Sequence, residues 1–103
     1  MSIVNATLTD STATAVYTSA GNSAVTTMYL CNKTTISATI NVFVVSTGFQ
    51  ANGVNIIYSN LSIAGNDTYV MEAERILFNN GDFIAANSSA ANTIIVTTSF
   101  TGI

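Results

Sequence analysis

The chain contains no histidine, no proline and no tryptophan, a single cysteine, and very little charge. Each absence removes a class of chemistry. Without histidine there is no Ser-His-Asp or Cys-His catalytic arrangement. Histidine and cysteine together supply one ligand where a zinc site needs about four. One cysteine cannot form a disulfide within the chain. Charged residues make up 7%, against about 25% in an ordinary globular domain. The five acids are Asp10, Asp67, Glu72, Glu74 and Asp82, and the two bases are Lys33 and Arg75. Two cations cannot neutralise the phosphates along a nucleic-acid site. No nucleic-acid partner, cofactor or metal is expected, and no enzyme activity.

Long apolar runs are missing as well. Residues 34–66 carry no charge, but Ser, Thr, Asn and Gly interrupt them throughout. No apolar run approaches the length of about 18 residues that a membrane helix needs, so no membrane partner is expected. The opening segment Met1-Ser2-Ile3-Val4-Asn5-Ala6-Thr7 has neither a basic region nor a continuous apolar one and does not read as a signal peptide. Synthesis in a cytoplasm with Cys31 reduced is the expectation. Asn-x-Ser/Thr triplets occur at Asn5, Asn32, Asn60, Asn66 and Asn87. With 12 Asn, 16 Thr and 11 Ser in the chain, composition accounts for them.

What is present points to one β domain. The 103 residues are 49% apolar, which suits a single domain over residues 1–103 with one modest core. Apolar residues recur with period two, and Val, Ile, Thr, Tyr and Phe supply them. Ile36, Ala38, Ile40, Val42 and Val44 form one row, facing away from a second row that turns apolar at Phe43 and Val45. Ala24, Thr26, Met28 and Leu30 alternate with Val25, Thr27, Tyr29 and Cys31. Ile57, Leu61 and Ile63 alternate with polar neighbours, and Ile94, Val96, Thr98 and Phe100 form a further row. Strands are also expected over 3–9, 14–18, 68–72 and 83–87. Gly- and Asn-bearing turns separate the runs at 19–22, 64–67 and 79–82, with looser loops around 51–53 and 87–90. The Asn-Gly pairs at 52–53 and 80–81 are the best hairpin signals. The fold class is therefore all-β, a single antiparallel β-sandwich or jelly roll of about eight short strands.

Few residues suggest chemistry. Glu72 and Glu74, at i and i+2 on a strand, would share a face as a hydrolytic carboxylate pair does. Arg75 beside them points instead to an ion pair, on the surface or between subunits. Asp67 and Asp82 stand in tight turns and lack the alternating acids of a calcium loop, so turn hydrogen bonding accounts for both. Cys31 reads as a small buried hydrophobe. Tyr17, Tyr29, Tyr58 and Tyr69 sit inside strand patterns, which favours packing over sugar stacking. The low charge suits a subunit whose surface is covered by neighbours, because an assembly needs no repulsion against self-association.

Several phrases of the sequence resemble a known group. Thr26-Thr27-Met28-Tyr29-Leu30-Cys31-Asn32, Thr39-Ile40-Asn41-Val42-Phe43-Val44-Val45 and Ile57-Tyr58-Ser59-Asn60-Leu61-Ser62-Ile63-Ala64 are similar to segments of small all-β virion proteins of tailed bacteriophages. The same holds for Asp67-Thr68-Tyr69, for Gly81-Asp82-Phe83-Ile84 and for Ala90-Ala91-Asn92 leading into the last strand. The resemblance implies a non-catalytic virion structural protein, foremost a capsid decoration or cement protein that bridges capsomers. A neck, tail or fibre component is the alternative, and a carbohydrate-binding module the alternative from another class. The expected partners are the chain itself, as a homotrimer, and the major capsid or other virion proteins. The expected location is the virion, after synthesis in a host cytoplasm. The expected interface includes Glu72, Glu74 and Arg75 together with the two chain ends.

Overall fold

In the computed structural model, residues 2–8, 13–90 and 93–102 are described, without the side chains of Ser2 and of residues 72–75. The strands are β1 (Ser2–Thr7), β2 (Thr14–Thr18), β3 (Ser23–Asn32), β4 (Ala38–Val45), β5 (Ile56–Ile63), β6 (Thr68–Phe78), β7 (Phe83–Ser88) and β8 (Ile94–Gly102). They form two four-stranded antiparallel sheets. The front sheet has the order β1-β8-β3-β6 and the back sheet β2-β7-β4-β5. The chain changes sheet at every connection except β4 to β5. That order, eight strands in two interleaved Greek keys, is a jelly roll.

The core lies between the sheets, where inward rows meet. Val25, Met28 and Leu30 of β3 and Ile94 and Val96 of β8 pack against Ala38, Ile40 and Val42 of β4 and Ile84 and Ala86 of β7. Each of the larger aliphatic side chains contributes roughly 1.5–3 kcal/mol by leaving water. A second, smaller cluster sits outside the back sheet. Phe43, Val45 and Ala85 are covered there by Ala13, Ala51, Ile56 and Phe83. This accounts for the apolar second row at the end of β4.

Bulges move some rows from the faces that strict alternation assigns. In β3 the register shifts at Thr26, against both β6 and β8. Val25, rather than Ala24 or Thr26, therefore joins Met28 and Leu30 in the core. In β5 the register slips between Leu61 and Tyr58, where Asn60 adopts a φ of 54°. Leu61 and Ile63 keep their inward places, but Tyr58 turns inward and Ile57 outward. A bulge inverts the alternation that precedes it. Ile36 lies before β4 and is exposed, so the inward row begins at Ala38.

The connections gather at two ends. At one end, 33–37, 64–67 and residue 93 are tied together: Lys33 N–H donates to Thr93 O at 2.9 Å and Asn66 N–H to Thr34 O at 2.7 Å. Buried Asn32 anchors this end. Its amide donates to the carbonyls of Ile36 and Ile63, and its oxygen accepts from the N–H and hydroxyl of Thr34. At the other end lie 19–22, 46–55 and 79–82. Asn52-Gly53 falls in the connection of β4 and β5, which are paired neighbours. Asn80-Gly81 makes a turn, with Gly81 at φ 90°, but it joins strands of different sheets. The hairpin expected there is absent because a local turn does not choose the strand's partner.

Candidate interaction surface

The three charged residues expected at an interface belong to β6, at the edge of the front sheet. Glu72 stands opposite Thr27, and the register then slips before Ile76 pairs with Val25. The side chains of Glu72, Glu74 and Arg75 lie outside the described residues. The chain ends, grouped with them by sequence reasoning, run toward the opposite edge: Ser2 of β1 pairs with Phe100 of β8. Met1 and Ile103 themselves lie outside the described residues, as does Asp10.

The two turn aspartates are held by backbone. Asp82 accepts Thr47 N–H on Oδ1 and Asn79 N–H on Oδ2, both at 2.9 Å, while Ser19 N–H donates to its carbonyl at 2.8 Å. The N–H groups of Thr47 and Asn79 hold its carboxyl below the usual carboxylate range. Asp67 Oδ1 accepts Thr68 N–H at 2.8 Å. Among the described residues, no three cysteine, aspartate or glutamate side chains gather as a metal group would. Cys31 is half-buried, facing outward on the front sheet rather than into the core.

The tyrosines are dispersed. Tyr17 is buried, and its hydroxyl bonds Ser23 Oγ at 2.7 Å, which in turn meets Ser19 Oγ at 2.6 Å. Tyr58 and Tyr69 meet edge to face across the two sheets, with centroids 5.7 Å apart and planes at 77°. That crossing leaves no shared flat surface for a sugar ring. The hydrogen-bonding neighbour Tyr69, then burial, raises the Tyr58 phenol above its ordinary range.

Two surfaces remain. The first is a groove of about 370 Å³ outside the back sheet, with Ala15 and Ala85 among its lining residues and Phe49, Gln50 and Phe83 beside them. Phe49 is 69% exposed. The second is the outer face of the front sheet. Cross-strand register sets it out in rows: Thr7, Ile95, Cys31 and Thr68; Asn5, Thr97, Tyr29 and Val70; Ile3, Ser99 and Thr27; then Thr101, Ala24 and Leu77. β1, β8 and β3 contain no charged residue; the charged stretch 72–75 belongs to β6 at the margin, and its side chains lie outside the described residues. Ile3 is 67% and Leu77 66% exposed, at opposite margins of the face, and the neighbours Tyr29 and Val70 in the second row are also exposed. A face of this kind, with exposed apolar side chains set among hydroxyls and amides, is a candidate interaction surface.

Sequence reasoning missed both surfaces as sites. The groove had a signal in the apolar outer row of Phe43 and Val45. The face had one in the lack of charge over β1, β3 and β8, legible only once those strands are known to be neighbours. Comparison with protein families, with curated proteins and with solved structures finds no match.

Proposed function

We propose that the chain is a structural subunit of a virus particle, foremost a capsid decoration protein that binds the shell and bridges its capsomers. The observation that carries this reading is the outer face of β1, β8 and β3, three neighbouring strands without a charged residue, where Ser, Thr and Asn are set among exposed Ile3 and Tyr29. Such a face hydrogen-bonds and packs against a neighbour without the desolvation cost that buried charges carry. The sequence resemblance to small phage virion proteins supports the reading. So does analogy of fold, since jelly rolls recur in viral capsid domains. The partners are further copies of the chain and the particle's shell proteins, and bridging strengthens through multivalency. Antibody labelling of purified particles from the source of the sequence, read by electron microscopy, tests it. Label over the shell is the expected outcome. Label at the neck, tail or fibres moves the protein to those parts, and particles free of the protein overturn the proposal.

The groove beside Phe49 and Phe83 favours a second reading, a carbohydrate-binding module, because exposed aromatic rings stack on sugars. Gln50 is the one polar residue among its described lining residues, fewer than pockets normally place around a polar ligand. A glycan screen separates the two: specific binding abolished by Phe49→Ala establishes the module.

A further inference from the structure

A two-sheet sandwich has four edge strands, here β1 and β6 in front and β2 and β5 behind. An edge strand turns alternate backbone N–H and C=O groups outward, ready to pair with another strand, and folded proteins normally blunt it with bulges or charge. Three of the four edges are blunted. β2 shifts register at Val16. β5 shifts at two places and carries the positive φ of Asn60. β6 slips between Glu72 and Ile76, the stretch that holds Glu72, Glu74 and Arg75. β1 has neither protection. It pairs with β8 through six residues in unbroken register, from Ser2↔Phe100 to Thr7↔Ile95, and neither strand contains a charged residue.

We propose that β1 is an assembly edge that pairs antiparallel with β1 of a second copy of this chain, about a two-fold axis at Asn5. Self-pairing imposes a strict condition, because any charge close to the axis meets its own image. β1 and β8 satisfy that condition and β6 does not. The register about Asn5 keeps faces together: Ile3 opposes Thr7 and Asn5 opposes Asn5 outside, while Val4 opposes Ala6 inside. Asn5 suits the axis. Its Oδ1 accepts the Thr97 hydroxyl at 2.7 Å, which fixes the amide, retains one acceptor site and directs Nδ2 to donate. Two such amides bond reciprocally across a two-fold axis. Pairing joins two front sheets into one of eight strands and doubles the charge-poor outer face. This deepens the assembly reading by naming one partner, yet the pair forms in solution whether or not a viral shell is bound.

The test is the mass of the purified full chain by light scattering and sedimentation over a dilution series, with the variants Asn5→Lys and Asn5→Asp. Asn5 is exposed, so both variants should fold, which circular dichroism verifies. Wild type is expected to be a dimer. Each variant alone should dissociate with a constant raised roughly tenfold or more by like charges at the axis, and mixing the two should restore the dimer. Leu77→Lys, on the opposite side of the same face, should leave the dimer intact. A wild-type monomer at millimolar concentration, the homotrimer expected from the sequence, or a dimer indifferent to Asn5→Lys would each overturn the proposal. Those results leave the particle-labelling test untouched, so failure of the edge and failure of the virion reading are told apart.

Discussion

Thr98 lies on the inward row of β8 between Val96 and Phe100, fully buried, and its hydroxyl has no hydrogen-bond partner among the described residues. An unsatisfied buried hydroxyl costs about 1–3 kcal/mol, and valine has nearly the same shape. Thr98→Val should therefore stabilise the fold by about 1 kcal/mol, seen as a higher urea midpoint with an unchanged slope. Asp82 predicts a pH effect. Its folded pKa is lowered by the N–H groups of Thr47 and Asn79, so its contribution is fully present above the unfolded value of about 3.9. That contribution is lost as pH falls through the lower folded value. Asp82→Asn should flatten the decline in stability below about pH 4, measured by thermal melts across that range. The role of Thr98 was not legible in the sequence, because it stood in an apolar row where a threonine is ordinary; the turn bond of Asp82 to Asn79 was legible, whereas its second partner Thr47 is 35 residues away.

Element boundaries followed from composition where strands are short and end in turn residues. β2 runs Thr14–Thr18 as expected, and β7 extends the expected 83–87 by one residue. β6 is the exception. Alternation fails over Glu72-Ala73-Glu74-Arg75, which ends the expected strand at 72, yet the strand continues to Phe78. The bulge that breaks the period there, like those at Thr26 and Asn60, depends on the partner strand, which no local pattern reveals. Loop contacts are equally non-local. A Cβ on Gly65 would overlap the backbone carbonyl of Thr35, so the loops at 33–37 and 64–67 fit only without a side chain there. Gly65→Ala should destabilise by about 1–3 kcal/mol through overpacking. Gly53, where a Cβ meets nothing within 4 Å, is the control expected to tolerate alanine.

At the scale of the whole molecule, one connection of seven joins strands that pair with each other, β4 to β5. Every other pairing brings together segments far apart in sequence. Topologies of this kind fold in milliseconds to seconds, and stopped-flow refolding should show it. Leu30→Ala, at a fully buried position between β6 and β8, should cost about 2–5 kcal/mol. The class of fold was legible because alternation and turns are local. The candidate surfaces were not, because the outer face is assembled from strands 1, 8, 3 and 6.

The placement of β1 beside β8 also sets how the molecule responds to tension. Ser2 and Phe100 are cross-strand partners, so the first and last strands begin and end side by side. A load that separates these two ends peels β1 from β8 one rung at a time, from Ser2 toward Thr7, instead of shearing all the rungs at once. Peeling needs less force than shearing, so β1 is the strand that such a load detaches from β8 first. A second copy gripping β1 along its free edge would hold the strand from both sides, and the assembly would resist a pull that opens the isolated chain.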